Sequence, residues 1–406
     1  MANQVSVTSR KSYLSRQGES FKKIFLGIIV VIAAIILLAR NENRFVKQKA
    51  ALKEGESIVV ETVSSPVDPD LEWNLIHFYW ETYSSAKDLV DNVFGIKTEG
   101  LKLERRVEMY QWIEKTKTTT KDELGWAETT TTTYSYTTDW KNTAIDSSEF
   151  YEEPWHKNPS HWEYLDQERE KEPILVWDFT LSSSFVGQLS NYKQISINPD
   201  EITVPSKYKD LVVNEETSLE ENLDTNKIMF YVFDNYIYIG SNPKNATVWD
   251  LRITFYDVKT WVVSLIGQQV WDELTSYTSS NWNTISLLKE GKATATTMFA
   301  EAHKGNKTLT WILRLAGLAL MFYGFSMMLA FLSTLTKILP FLSNIVGAWT
   351  SLISFVLTLA LGLTTIAIAW IVVRPILGIV LLVLWIWWAT WIVKFKKKKN
   401  LTNTTK

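Results

Sequence analysis

Four apolar runs without a charged side chain, at 24–39, 315–336, 338–373 and 376–393, leave this chain few folds to choose from. A bilayer core about 30 Å thick is crossed by about 20 helical residues. The first run has 16 residues, and Lys22, Lys23 and Arg40 lengthen it by reaching outward to the interfaces. No small-residue cleavage site follows it, so it reads as an uncleaved anchor rather than a signal peptide. The run at 338–373 is too long for one perpendicular helix. Pro340 and Asn344 interrupt its start, which predicts a short interfacial piece before a span from 346. Arg374-Pro375 then forces a turn, since proline disfavours a helical residue before it and lacks an amide donor.

Charge divides the chain in the same places. The net charge of −2 conceals a middle region, 41–309, with 27 Lys/Arg against 43 Asp/Glu, while residues 310–406 hold nine Lys/Arg and no acid. Five Lys/Arg precede the first run and six follow the last. Basic flanks stay in the cytoplasm, so both termini are expected in the cytoplasm or the topologically equal nucleoplasm, with the middle region lumenal. The resulting order is a basic cytoplasmic segment 1–23, a first transmembrane helix 24–40 and an acidic domain 41–309. A second helix 310–336, a cytoplasmic or interfacial loop 337–345, a third helix 346–373, a fourth 376–393 and a basic tail 394–406 complete it. An acidic middle excludes a broad nucleic-acid-binding surface there, which needs clustered Lys/Arg.

Period-2 alternation dominates the middle region. Leu103, Val107, Met109 and Ile113 share one parity within 102–117, and 128–140 is rich in Thr and Tyr, which favour strands. Residues 122–125 read as the connection of a hairpin, as do Asp234-Asn235 between two further strands. Strands are also expected at 57–62, 75–80, 173–181, 228–233, 236–240, 247–257 and 260–271, with a short helix at 293–303. The expected class is an α+β membrane protein: one N-terminal and three C-terminal transmembrane helices around a β-rich lumenal domain.

Several segments resemble the transmembrane protein 43 (LUMA) family. They are Val107-Glu108-Met109-Tyr110-Gln111-Trp112-Ile113-Glu114, Tyr134-Ser135-Tyr136-Thr137-Thr138-Asp139-Trp140 and His156-Lys157-Asn158-Pro159-Ser160. Asp250-Leu251-Arg252-Ile253-Thr254-Phe255, Arg314-Leu315-Ala316-Gly317 and Arg374-Pro375 follow in the family's order. Residues 205–226 and the lysines at 396–399 fall outside that pattern. The resemblance implies a protein of the endoplasmic reticulum and inner nuclear membrane. It further implies self-association and the organisation of nuclear-envelope proteins such as lamins and emerin, where the organism has them.

Little in the chain suggests catalysis. Cysteine is absent, which excludes thiolate zinc sites, catalytic thiols and disulfides. His156 and His161, with Glu163, are spaced five apart around Asn158-Pro159, which does not suit helical metal ligands. No phosphate loop, nucleophile elbow or zinc-protease motif occurs, and no cofactor is expected. Asn245-Ala246-Thr247 is a glycosylation sequon, and Asn306-Lys307-Thr308 is a second one near the bilayer. Within the third span, Gly347, Ser351, Ser354, Thr358, Gly362 and Thr365 recur at steps of three or four. Such a stripe packs helices closely, either within one chain or between subunits. The expected function is a non-enzymatic membrane scaffold that self-associates and contacts membrane lipids. A lumenal enzyme and a lipid sensor acting through the tail at 394–399 are the alternatives.

Overall fold

A computed structural model describes residues 4–373 except 12, 63–66, 123–127, 214–227 and 336–339, together with Val383, Trp387 and Thr390. Among these residues, three helices are long and apolar enough to cross a membrane. They are α1 (Tyr13–Ile58), α2 (Ala295–Leu335) and α3 (Pro340–Val373). The fourth span expected at 376–393 lies outside the described residues, apart from those three isolated positions.

α1 and α2 are longer than their apolar runs. At 1.5 Å per residue, the 46 residues of α1 extend about 69 Å, far beyond any bilayer core. Its last turns replace most of the strand expected at 57–62, leaving only Val60–Glu61 extended. Burial explains this: Ala51, Leu52 and Gly55 face Leu75, Ile285 and Phe299, so one helical face stays covered to the end. The short helix expected at 293–303 is the first part of α2, which runs on into the membrane without a break. Pro340 opens α3 rather than interrupting it, and Asn344 causes no break. Proline is well placed at a first helical position, where its missing N–H would have no partner in any case.

The region between α1 and α2 is β-rich. Its strands include β2 (Leu75–Tyr83), β3 (Lys102–Asp122), β4 (Glu128–Lys141), β5 (Met229–Val232), β6 (Ile237–Gly240), β7 (Leu251–Val258), β8 (Val262–Val270), β9 (Glu273–Thr275) and β10 (Leu287–Glu290). The N-terminal segment adds β1 (Gln4–Lys11). One sheet runs β1-β4-β3-β7-β6-β5 and ends on Val212–Val213. Leu103, Val107 and Met109 of β3 and Leu251, Ile253 and Phe255 of β7 point to its inner face and bury with Phe94, Phe230 and Ile237. In the second sheet, β2 pairs with both β8 and Leu175–Val176, so the strands close into a ring through Phe179–Leu181 and β9. Ile76, Phe78, Phe185, Leu265 and Leu274 fill it. The inner ends of α1 and α2 dock on this ring through Leu52, Met298 and Phe299 against Leu75 and Ile266.

Two features lie beyond the sequence expectations. β1 pairs antiparallel with β4 over eight residues, from Gln4 opposite Ser135 to Lys11 opposite Glu128. Tryptophan, a residue that favours bilayer interfaces, also serves the domain's turns. All five non-glycine residues with positive φ among the described residues are tryptophans: Trp73, Trp177, Trp249, Trp271 and Trp282. Each is followed by Asn or Asp. Bulky residues seldom adopt this conformation, so each turn is held by its hydrogen bonds. The amide of Trp73 donates to Gln269 O (2.9 Å) and that of Trp271 to the Glu72 carboxylate (2.9 Å).

Candidate functional site at the helix bundle

Within the uniformly apolar first span, one face is covered by the second helix. Gly27, Val31, Ala34 and Leu38 recur at steps of four, three and four and are buried. Gly317, Met321 and Gly324 of α2 meet them, with Leu38 against Gly317 and Val31 against Gly324. Small residues let helix backbones approach where lipid offers no hydrophobic gain on association.

α3 packs on this pair through part of the predicted stripe. Ser354, Thr358 and Thr365 are buried together with Thr350 and Ala369. A side chain at Gly362 would collide with Leu318 of α2. Ser354 and Thr365 donate to carbonyls of their own helix, Thr350 O (2.8 Å) and Leu361 O (2.8 Å). Thr358 Oγ1 is buried without a partner in the described structure. The stripe's other end diverges: among the described residues nothing lies within 4 Å of where a Cβ on Gly347 would stand, and Ser351 is exposed.

At the domain end of the bundle the three helices converge on one carboxylate. Glu42 is fully buried. It accepts from Arg314 Nε (2.6 Å) and Nη2 (2.7 Å) and from Trp370 Nε1 (2.6 Å). The Arg314 guanidinium also stacks over Trp311 at 4.8 Å. One turn further out, Arg44 donates to Asn306 Oδ1 (3.0 Å) and Thr310 Oγ1 (3.0 Å), while Asn41 Nδ2 donates to Thr310 O (3.1 Å). The sequence marks Arg314 as a span-end charge but gives no sign of its partner. A carboxylate two residues beyond Arg40, at the edge of a span, is the signal that could have prompted a search.

Asn306 and Asn245 differ in exposure. Asn306 is buried, and its amide donates to Phe45 O (3.1 Å) while accepting from Arg44. Asn245 sits exposed in a turn closed by its own amide on Asn242 O (3.1 Å).

A cleft of about 670 Å³ in the domain is lined by His161, Glu163, Tyr208, Trp249 and Asp250 among others. Burial pushes the Asp250 carboxyl up, even though Tyr238 Oη (2.5 Å) and Thr247 N (2.7 Å) donate to it. Glu163 is engaged by Lys207 (2.9 Å) and Tyr208 (3.0 Å). His156 is kept apart from His161: it is buried, stacked on Tyr136 at 3.7 Å, with Nδ1 against Glu152 O (3.1 Å). Among the described residues no three His, Cys, Asp or Glu side chains gather as metal ligands would.

Sequence comparison relates the chain to known proteins. The family profile described as Transmembrane protein 43 matches residues 109–375. The Transmembrane protein 43 sequences of Homo sapiens and Mus musculus are each 29% identical to this chain, covering 92% of it and 90% of their own length. The Transmembrane protein 43 homolog of Drosophila melanogaster is 24% identical, covering 88% of this chain and 90% of its own. No solved structure matches the chain.

Proposed function

The chain belongs to the transmembrane protein 43 family, and from that premise we propose that it is a non-enzymatic scaffold of the endoplasmic reticulum and inner nuclear membrane. In this reading both termini face the cytoplasm or nucleoplasm, the β-rich domain is lumenal, and copies self-associate to organise nuclear-envelope proteins, lamin- or emerin-like where present. One observation carries it: α1 and α2 continue unbroken from the spans into the core of the domain, and Glu42, Arg314 and Trp370 tie all three helices at the boundary. A displacement in the bilayer is thereby passed to the domain through continuous backbone. The unfilled end of the stripe supports self-association, because Gly347 and Ser351 remain open among the described residues while the rest of it is covered within the chain.

Co-purification of two differently tagged copies from detergent tests the reading, combined with proximity labelling from the lumenal and the cytoplasmic side. Recovery of the second tag, its loss in Gly347→Leu, and nuclear-envelope proteins among the labelled neighbours are expected. A chain that stays monomeric and labels no nuclear-envelope protein overturns it.

A further inference from the structure

Just outside the bilayer, the acidic domain turns basic. Along α1 from Arg40 to Lys49 and α2 from His303 to Arg314, the chain carries Arg40, Arg44, Lys47, Lys49, Lys304, Lys307 and Arg314 against one carboxylate, Glu42. That carboxylate is already committed to Arg314. Between the helices lies a cleft of about 440 Å³, floored by Phe45 and Asn306 and flanked by Lys49, His303, Lys304 and Lys307. His303 is near Glu56 at 3.8 Å. The three lysines are exposed, and none has an ion-pair partner among the described residues.

The cleft stands at the outer edge of a headgroup layer, within reach of its lysine side chains. At 1.5 Å per helical residue, Phe45 and Lys307 stand about 8–10 Å beyond the level of Arg40 and Arg314, and Lys49 and Lys304 about 14–15 Å. A headgroup layer occupies about 5–8 Å outside the hydrocarbon, and lysine stems extend back towards such an interface. A second element descends to the same level. The turn after Tyr277–Thr278 is braced on α1, where Ser280 N donates to Glu54 Oε1 (2.9 Å) and Asn281 Nδ2 to Lys47 O (2.8 Å). It holds Trp282 at 86% exposure beside the stalk, and tryptophan favours the headgroup level of a membrane.

We propose that the cleft between Lys49, Lys304 and Lys307 binds the anionic headgroup of a phospholipid in the leaflet that faces the domain, with Trp282 seated in the same interface. Phosphate oxygens would meet the three ammonium groups, which the lysine stems carry back towards the layer. Free inorganic phosphate shares the charge but has no reason to prefer this height.

The test uses the full chain with Lys394 and Lys396–Lys399 changed to Gln, which removes the competing basic tail. Native mass spectrometry from detergent then compares retained phosphatidylinositol with phosphatidylcholine. In the Lys49→Gln/Lys304→Gln/Lys307→Gln variant, apparent affinity for phosphatidylinositol is expected to fall by roughly a hundredfold, about fivefold per lysine, with phosphatidylcholine unchanged. Lys47→Gln/Lys53→Gln, on the same helix but outside the cleft, is the folding control and is expected to bind normally. Unchanged phosphatidylinositol retention in the triple variant overturns the proposal. So does displacement of the lipid by millimolar inorganic phosphate, which would make the cleft a soluble-anion site.

Discussion

The backbone oxygen of Gly324 lies 2.7 Å from where a Cβ on Gly27 would stand, and that of Gly27 lies 3.0 Å from the Cβ position of Gly324. The two helices therefore touch backbone to backbone at the end of the bundle farthest from the domain, where a larger side chain cannot be absorbed by rotation. Gly324→Leu is expected to cost about 1–3 kcal/mol of bundle stability by forcing α1 and α2 apart. Thermal aggregation of the detergent-solubilised chain measures this. Gly305→Ala, on the same helix but with nothing among the described residues within 4 Å of its Cβ position, should be neutral or slightly stabilising. Equal midpoints for wild type and Gly324→Leu would remove the crossing from the account.

At the other end, the Glu42 carboxylate is buried against one arginine and one indole. Removing a single partner of such a pair leaves an uncompensated charge, whereas replacing both can be close to neutral. Arg314→Met should lower stability by about 3–5 kcal/mol, and Glu42→Gln/Arg314→Met should recover a large part of it. A double variant no better than Arg314→Met alone would show that the pair is not coupled.

These contacts mark where sequence reading stops. Alternation at Leu103, Val107 and Met109, and at Leu251, Ile253 and Phe255, declares two strands plainly, yet not that β7 pairs with β3 across some 150 residues of chain. The outer limits of the spans are legible because lipid tolerates few charges. Which face of α1 is covered is not, since 24–39 is apolar all round and size does not mark it: Ala33 is exposed while its neighbour Ala34 is buried. Glu42 and Arg314 stand 272 residues apart, and each alone looks like an ordinary interfacial charge. Of the stripe, Ser354, Thr358, Gly362 and Thr365 share the covered face, while Gly347 and Ser351 do not. The strand Gln4–Lys11 did carry a local signal, Val5 and Val7 alternating with Ser and Thr. Its basic charge points to a cytoplasmic segment instead.

Expression in a eukaryotic host with a lumenal domain should glycosylate Asn245 and leave Asn306 bare. Asn245 is exposed in a turn, whereas Asn306 has its amide bonded across the α1–α2 interface. Endoglycosidase shifts of Asn245→Gln and Asn306→Gln check this: only the first should abolish the shift. An unmodified Asn245 in a chain whose domain is digested by protease outside intact microsomes would reverse the proposed orientation.

The ladder between β1 and β4 bears on the same question. A flat bilayer around 24–39 would put Gln4–Lys11 and Glu128–Lys141 on opposite sides. A Thr- and Lys-rich ribbon with an open edge does not pass through hydrocarbon, where unpaired backbone groups are costly. The ladder and the crossing are therefore alternative arrangements of the chain. Val7→Cys and Thr132→Cys, which face each other in register, report which one is present. In native membranes the proposed orientation predicts no disulfide between them, even under oxidant. A quantitative disulfide would place the N-terminus on the domain's side and overturn that orientation.

Acid should loosen the joint between domain and membrane through His77. Its ring is buried on β2, with Nε2 bonded to Ala293 O (2.9 Å) at the start of α2 and Nδ1 facing Glu61 at 3.8 Å. Burial holds its pKa below the ordinary value of 6.5, against the smaller opposing effects of the Ala293 bond and Glu61. The unfolded chain thus takes up a proton at higher pH than the folded one. His77 contributes its full stability above about pH 6.5 and loses it as pH falls through the lower folded value. Thermal midpoints of the full chain should therefore be flat from about pH 8 to 7 and fall below about pH 6.5. His77→Gln retains a donor for Ala293 O without the titrating ring, so its profile should stay flatter across that window. If both proteins lose the same amount of stability there, the acid response arises elsewhere and His77 is only a buried donor.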